Sequence, residues 1–165
     1  MEEDFLALLN AHRGILYKVC GLYLDTAEDR RDLFQEMVLQ LWRAFPSFRS
    51  ESSPSTWIYR VALNTAISNF RKRGKEGKKR ALTASDLQLP DTGYDDGAND
   101  RAILLREAIE GLNAIEKALI LLYLDERSYA EIAEIAGIRL SNVGVKINRI
   151  KSKLKTIIQI SNYGD

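Results

Sequence analysis

Residues 139–151 bring together side chains that could bind DNA. The segment reads RLSNVGVKINRIK and mixes hydroxyl, amide, ammonium and guanidinium groups. Short polar side chains on an α-helix can reach base edges in a major groove, and Lys or Arg further along can contact phosphates. We therefore predict a DNA-binding helix here. Its candidate contact residues are Arg139, Ser141, Asn142, Val145, Lys146, Asn148, Arg149 and Lys151.

Two helices joined by a tight turn would position this segment. Ser128 stands three residues before Glu131, which is the spacing of a capping box at a helix start, and Gly137 would supply the turn. In the second helix, apolar residues at the helical period predict a buried stripe opposite the polar face. They are Val143, Ile147, Ile150, Leu154 and Ile157. The pattern indicates a helix-turn-helix.

The charge of the C-terminal segment also favours DNA. Residues 127–165 contain seven Lys or Arg and three Asp or Glu, whereas the whole chain has a formal net charge of only +1. The less specific interpretation is a basic amphipathic helix in an ordinary bundle with solvated lysines. It requires the helix cap, the turn glycine and the apolar register to coincide by chance.

The chain is poorly supplied with catalytic and metal-binding residues. His12 is the only histidine and Cys20 the only cysteine, and there is no glycine-rich phosphate loop, HExxH or GxSxG motif. We predict no catalytic residue, no metal site and no cofactor. The single cysteine and the acidic start MEEDF predict a cytoplasmic location. No apolar run approaches the ~20 residues of a membrane span, so membrane insertion is not expected.

The apolar periodicity predicts an all-α fold. Helical patterns cover residues 4–70, with breaks at residues 25–26 and 46–55, and continue over residues 101–160. No alternation of apolar and polar residues is long enough to predict a β-strand.

The composition between the two helical blocks predicts a flexible linker. Residues 71–80 are strongly basic, and residues 81–100 are acidic and carry Pro90, Gly93 and Gly97 with little periodicity. The sequence therefore predicts two small domains joined by a flexible linker. The predicted boundaries are residues 1–74 for the first domain, 75–100 for the linker and 101–165 for the second domain.

The predicted helix over residues 32–45 has two distinct faces. Its apolar core stripe contains Phe34, Met37, Val38, Leu41 and Phe45. The opposite face surrounds one leucine with polar groups and has Trp42 near its edge; it contains Asp32, Gln35, Glu36, Leu39 and Arg43. This mixture predicts a surface where another protein docks. The alternative is a solvated face with one exposed leucine, which is common.

The predicted helix over residues 56–71 has an unusual outer face. The predicted buried side contains Tyr59, Ala62, Leu63, Ala66 and Phe70, and the outer side contains Trp57, Arg60, Val61, Asn64, Ser68 and Arg71. An aromatic ring beside guanidinium groups suits unpaired nucleic acid, because bases stack on aromatic rings. The small polar loop before it, residues 49–55, could wrap an extruded base. The alternative is that Trp57 folds back over Pro46 or Phe48 as a core residue.

Three segments in this order resemble the extracytoplasmic-function sigma factors of bacterial RNA polymerase. They are DLFQEMVLQLWRAFPSFR (Asp32 to Arg49), STWIYRVALNTAISNFRKR (Ser55 to Arg73) and SYAEIAEIAGIRLSNVGVKINRIKSKL (Ser128 to Leu154). The resemblance spans almost the whole chain. It implies two domains, called region 2 and region 4, and a protein that directs promoter recognition and transcription initiation without catalysis of its own.

The resemblance also implies a role for each surface. The segment that docks on the clamp helices of the polymerase β′ subunit is matched by Asp32, Gln35, Glu36, Leu39 and Trp42. The segment that opens and reads the minus-10 element is matched at Arg49, Ser53, Ser55, Thr56, Trp57, Arg60, Asn64 and Arg71. The segment from Ser141 to Lys151 matches the recognition helix for the duplex minus-35 element. The implied partners are core polymerase, including its β flap, promoter DNA both duplex and melted, and an anti-sigma factor.

Two residues depart from the family pattern, and one rival function remains. Arg139 stands where family members commonly have a Ser or Thr helix cap, which suggests a phosphate contact instead. Gly144 stands where relatives often carry a larger polar side chain, which suggests a close approach to the DNA backbone. The rival is a stand-alone helix-turn-helix repressor or activator that binds duplex DNA without polymerase; an enzyme is a distant third.

Overall fold

All regular structure in the described part of the chain is helical. A computed structural model describes residues 1–75 and 96–163, and within these ranges there are seven α-helices, one short 3-10 helix and no strand. The chain divides into two compact units, Met1–Gln88 and Leu89–Asp165. The prediction of an all-α, two-domain fold is confirmed. None of the described helices is long and apolar enough to cross a membrane.

The first unit is built from three long helices. They are α1 (Glu2–Tyr23), α2 (Ala27–Ala44) and α3 (Pro54–Lys75), and a 3-10 helix (Phe45–Ser47) follows α2. Each long helix packs on the other two. Their shared core is fully shielded from solvent at Leu16, Val19, Met37, Tyr59, Ala62 and Ala66.

Local hydrogen bonds explain where α2 and α3 begin. The Thr26 side chain accepts a hydrogen bond from the Asp29 backbone N–H at 3.1 Å, which caps α2. The Ser53 hydroxyl accepts from the Thr56 N–H at 3.2 Å, and Pro54 occupies the first turn, where a missing N–H costs nothing. The predicted break at residues 46–55 is therefore too long by Pro54 and Ser55.

The core stripe of α2 differs from the predicted one by a small rotation. Leu33, Met37 and Leu41 are buried, whereas Phe34, Val38 and Phe45 are only half-buried. The prediction for Met37 and Leu41 is confirmed, and Leu33 was missed. Helix α2 packs on both α1 and α3. Its most buried residues are therefore those that face the space between these two helices.

The second unit surrounds its last helix with three shorter ones. They are α4 (Asp96–Glu110), α5 (Ala114–Leu124), α6 (Tyr129–Ala136) and α7 (Leu140–Tyr163). Helix α7 packs on each of the other three. The core includes Leu122, Ile132, Val143 and Ile147, all without solvent exposure.

The predicted linker, residues 75–100, is only partly within the described residues. Residues 76–95 lie outside them. Residues 96–100 belong to α4, so this helix begins earlier than the predicted start at residue 101. The boundaries of the functional domains stay a prediction.

Candidate nucleic-acid and protein interfaces

Helices α6 and α7 form the predicted helix-turn-helix. The Ser128 hydroxyl accepts a hydrogen bond from the Glu131 N–H at 3.1 Å and caps α6. Gly137 ends α6 in the left-handed conformation, with φ of 67°, and the Ile138 N–H donates to the Ala133 carbonyl at 3.1 Å. Glycine has no Cβ and adopts this φ at no steric cost, so it allows the chain to turn sharply between the two helices. The prediction of a helix-turn-helix over residues 128–154 is confirmed.

Helix α7 separates apolar and polar side chains as its sequence predicts. Val143, Ile147, Ile150 and Leu154 are buried, and Ile157 is half-buried. The outer face is exposed at Ser141, Asn142, Val145, Lys146, Asn148 and Arg149. These six candidate residues are brought together on one side of the helix, where a DNA major groove could admit them.

Lys151 does not share this face. Its ammonium lies 4.1 Å from the centre of the Tyr123 ring, a cation–π contact between α7 and α5. At 100° per residue, Lys151 is rotated by about 120° from Val145. In this structure the Lys151 side chain is directed toward α5 and lies at the margin of the polar face, and its contact with the minus-35 element stays a prediction.

The two residues that depart from the family pattern have distinct surroundings. Arg139 is exposed immediately before α7, and its carbonyl accepts a hydrogen bond from the Asn142 N–H at 2.9 Å. Gly144 faces the ring of Tyr129: a Cβ built on Gly144 would lie 3.5 Å from Tyr129 Cε2. Sequence reasoning missed Tyr129 because its contact with α7 depends on the angle at which α6 and α7 pack.

The predicted docking face of α2 is exposed. Asp32, Gln35 and Glu36 are open to solvent, and the Leu39 side chain keeps 40% of its surface accessible. The Gln40 amide donates a hydrogen bond to Glu36 Oε1 at 2.8 Å along the helix. These carboxylate and amide groups therefore surround one exposed apolar side chain.

Trp42 forms the edge of the docking face and is anchored from beneath. Its ring meets Phe5 of α1 edge-on with 5.0 Å between centroids, and Phe5 in turn meets Phe45 at 5.4 Å. Trp42 still keeps 38% of its surface accessible. Sequence periodicity did not assign Phe5 a role, because the contact joins residues on different helices.

The predicted outward position of Trp57 is wrong. Its side chain is only 8% exposed, and its ring stacks on Phe48 with 4.6 Å between centroids and an interplanar angle of 27°. Phe45 lies on another side at 6.5 Å. The alternative interpretation, in which Trp57 folds back over Phe48, is the one observed. Burial of two aromatic rings against each other is favourable, and α3 begins early enough to place Trp57 over the loop.

The loop between the 3-10 helix and α3 has a defined conformation. Ser50 has φ of 56°, a left-handed backbone that is uncommon for a residue other than glycine. The Ser53 hydroxyl donates to the Thr56 hydroxyl at 2.9 Å, and Thr56 is buried. Arg49, by contrast, is exposed. Arg49 is therefore accessible to a ligand, whereas Thr56 stabilises the conformation of the loop.

The remaining candidates along α3 differ in exposure. Asn64 and Arg71 are exposed, and Arg60 and Ser55 are half-buried. Near the end of the helix, the Arg73 guanidinium donates to Asp29 Oδ1 at 2.7 Å, which ties α3 to the start of α2. Within residues 1–75 and 96–163, no group of His, Cys, Asp and Glu side chains is arranged to hold a metal ion.

The buried Cys20 thiol of the first unit is expected to have low reactivity. Cys20 lies in the core, and burial raises the pKa of its thiol to about 11, although the charge of Arg30 acts in the opposite direction. A thiol with a raised pKa is a poor nucleophile near neutral pH.

Each unit matches a model of a known family. The model described as Sigma-70 region 2 matches residues 8–76, and the model described as Sigma-70, region 4 matches residues 102–154. The RNA polymerase sigma factor YlaC of Bacillus subtilis is 32% identical over 81% of this chain and 78% of its own length. This chain belongs to the extracytoplasmic-function sigma factors of the sigma-70 family.

Other sigma factors are similar over nearly the full chain. The RNA polymerase sigma-H factor of Pseudomonas aeruginosa is 27% identical over 94% of this chain and 86% of its own length. The sigma factor SigW of Bacillus subtilis is 26% identical over 93% of this chain and 88% of its own length. Proteins of this family direct bacterial RNA polymerase to promoters.

Solved structures share the fold. The sigma factor RpoE in complex with the anti-sigma factor NepR from Bartonella quintana has a TM-score of 0.71 and 21% identity, with 96% of each chain covered. CnrH in complex with the cytosolic domain of CnrY has a TM-score of 0.68 and 18% identity, with 96% of this chain and 90% of that chain covered.

Proposed function

We propose that this sigma factor directs promoter recognition through three separate surfaces, one for polymerase and two for DNA. The observation that carries the proposal is the exposed polar face of α7, presented by a capped helix-turn-helix in the same chain as a region 2 fold. A helix-turn-helix alone would fit many DNA-binding proteins. The two sigma regions together favour a polymerase subunit.

Helix α2 would bind core polymerase. The proposed contacts are with the clamp helices of the β′ subunit through Asp32, Gln35, Glu36, Leu39 and Trp42. An exposed leucine supplies apolar contact area, and the surrounding carboxylates supply charge complementarity to a basic partner. The second unit would contact the β flap.

The loop and outer face of α3 would bind the melted minus-10 element. The exposed residues Arg49, Asn64 and Arg71 are the best placed for direct contact. Trp57 and Thr56 are buried, so we assign them the task of holding the loop in shape. Ser53, Ser55 and Arg60 complete the proposed set.

The outer face of α7 would read the duplex minus-35 element. Ser141, Asn142, Val145, Asn148 and Arg149 would face base edges, while Arg139, Lys146 and Lys151 at the margins would contact phosphates. The proposed domains are region 2 at residues 1–74 and region 4 at residues 101–165, with a linker at residues 75–100.

The chain would act by binding alone, in the cytoplasm, where core polymerase is present. The polymerase supplies the catalysis, and the sigma factor contributes binding free energy that favours melted promoter DNA. An anti-sigma factor is a proposed partner, since the RpoE and CnrH structures were determined with such proteins bound.

The test is retention by purified core polymerase. Asp32→Lys combined with Glu36→Lys should abolish capture of the chain by core enzyme, because both carboxylates are exposed on the proposed docking face. Far-UV circular dichroism should be unchanged. A matched control is Glu2→Lys combined with Glu3→Lys, which reverses two exposed charges in the first turn of α1 and should leave capture intact.

The result also separates the sigma function from the rival one. A stand-alone repressor would not be retained by core polymerase and would bind its site tightly by itself. If the folded Asp32/Glu36 double variant binds core as tightly as the wild type, the docking face is assigned incorrectly. If the wild type is not retained, the proposed function itself fails.

A further inference from the structure

One apolar side chain lies at the centre of the polar face of α7. Val145 is 50% exposed, although its face is otherwise made of hydroxyl, amide and guanidinium groups. At 100° per residue, four polar residues lie within about 60° of it on the helix surface. They are Ser141, Asn142, Asn148 and Arg149. An aliphatic group surrounded in this way is not the margin of the hydrophobic core, since the buried stripe is on the opposite side of the helix.

Gly144, which precedes Val145 on α7, faces the ring of Tyr129. Gly144 has no side chain, and the nearest atom that a Cβ at this position would meet is Tyr129 Cε2 at 3.5 Å. The Tyr129 ring therefore covers the position that precedes Val145, and the position that follows it is the exposed Lys146. Half of the Val145 side-chain surface is accessible, so a base edge in a major groove could contact its methyl groups.

The chemistry of Val145 restricts what it can recognise. An isopropyl group neither donates nor accepts a hydrogen bond, so it cannot distinguish the donor and acceptor patterns of the bases. In a major groove the one apolar group that a base pair presents is the C5 methyl group of thymine. We infer that Val145 is a specificity-determining residue that contacts a thymine methyl group in the upstream duplex element.

This inference rests on the proposed DNA-binding role of α7 and makes it more specific. The surrounding amides and Arg149 would fix the register on the DNA, and Val145 would then favour thymine at one position. Removing one buried methyl group from such a contact is expected to weaken binding about fourfold.

The experiment removes only the methyl group. Core polymerase loaded with the wild-type chain selects promoters from a random duplex pool, which defines the upstream element. Each thymine of that element is then replaced in turn by deoxyuridine, which lacks the C5 methyl group but keeps every hydrogen-bonding atom. Holoenzyme affinity is measured for each duplex by competition.

Two variants assign the effect to Val145. Val145→Ser replaces both methyl groups with a hydroxyl, and Leu140→Ala truncates another exposed aliphatic residue of α7, 58% exposed and rotated by about 140° from Val145. We expect one thymine at which deoxyuridine weakens wild-type and Leu140→Ala holoenzyme about fourfold. The Val145→Ser holoenzyme should bind the thymine and deoxyuridine duplexes equally.

The outcomes are separable. If no thymine shows a methyl dependence with the wild type, the inference is overturned, and this result needs no variant. The inference also fails if the dependence persists in Val145→Ser. If no holoenzyme forms, or no promoter is selected, the proposed function has failed instead.

Discussion

At the scale of single residues, burial decides which aromatic side chain can meet a nucleic-acid base. Trp57 has the residue type and the helix position expected of a stacking platform, yet its ring is stacked on Phe48. A ring that is already buried against other side chains has little free surface on which a base could stack. Its contribution to promoter opening would then be indirect, through the conformation of the loop that carries Arg49 and Ser50.

Replacing Trp57 should separate these two roles. Trp57→Ala removes a buried ring and should lower the free energy of unfolding by about 3–5 kcal/mol, with loss of promoter opening. Trp57→Leu keeps an apolar side chain against Phe48 but removes the ring on which a base could stack, so it should retain more opening than Trp57→Ala, measured by permanganate reactivity of minus-10 thymines. A stably folded Trp57→Leu holoenzyme that assembles but does not open the promoter would instead favour direct stacking of a base on Trp57.

Gly144 offers a second test at this scale. Gly144→Ala should raise the stability of the second unit by about 1 kcal/mol, because alanine is the better helix former and the new Cβ makes ordinary contact with Tyr129 at 3.5 Å. Hydrogen exchange of the Ile147 amide measures the change. Gly137→Ala is the opposite control, since its φ of +67° is strained for a residue with a Cβ.

The same Gly144→Ala variant tests the close approach to DNA suggested by its sequence. Since the new Cβ would point toward Tyr129, holoenzyme affinity for the promoter should not change. A stabilised variant that binds the promoter more weakly would instead support a direct backbone approach at Gly144.

At the scale of the helices, repeating patterns predicted more than single positions did. The cap at Ser128, the turn at Gly137 and the apolar stripe of α7 depend on residues close in sequence, so local rules were sufficient for them. Leu33 was missed and Trp57 was placed on the wrong side because their burial depends on how the helices of the first unit pack together. A helical wheel contains no information about those neighbours.

One ionic contact shows how α5 and α7 are joined. The Asn113 N–H donates to Glu116 Oε1 at 3.0 Å and the Glu116 N–H donates to Asn113 Oδ1 at 2.9 Å, a complete capping box. The Lys153 ammonium donates to the same Glu116 oxygen at 2.9 Å. Burial alone would raise the pKa of Glu116, but the Asn113 and Lys153 contacts outweigh it and lower that pKa.

The lowered pKa of Glu116 predicts an acid-sensitive contact. The folded state binds the ionised carboxylate more favourably than the unfolded chain does, so this stabilisation is fully present well above the unfolded pKa of about 4.3. It is lost as the pH falls through the lower folded pKa. In thermal unfolding below neutral pH, Glu116→Gln should show a smaller loss of stability with acid than the wild type.

A control with the same loss of charge isolates the contact. Glu107→Gln removes an exposed carboxylate from α4 and should keep the acid sensitivity of the wild type. If Glu116→Gln and the wild type lose stability in parallel down to pH values below about 4, the contact does not stabilise the fold in this range.

At the scale of the whole molecule, charge is distributed unevenly along the sequence. Residues 81–126 contain ten Asp or Glu and three Lys or Arg, whereas residues 127–165 contain seven Lys or Arg and three Asp or Glu. Phosphate binding depends on local positive charge, and nearby negative charge opposes it. The chain as a whole, at a net charge of +1, has little long-range attraction for DNA.

The free chain should therefore bind promoter fragments weakly, and its holoenzyme should bind them tightly and specifically at the same salt concentration. Polymerase would present both DNA-binding surfaces to the same promoter, so that the two contacts reinforce each other. Binding should weaken as salt rises, because the proposed phosphate contacts of Arg139 and Lys146 would release counterions from the DNA. Fluorescence anisotropy with free chain and holoenzyme measures both effects. Tight, specific binding by the free chain would contradict this expectation and favour a stand-alone regulator, since such a protein needs no polymerase to position its helix-turn-helix.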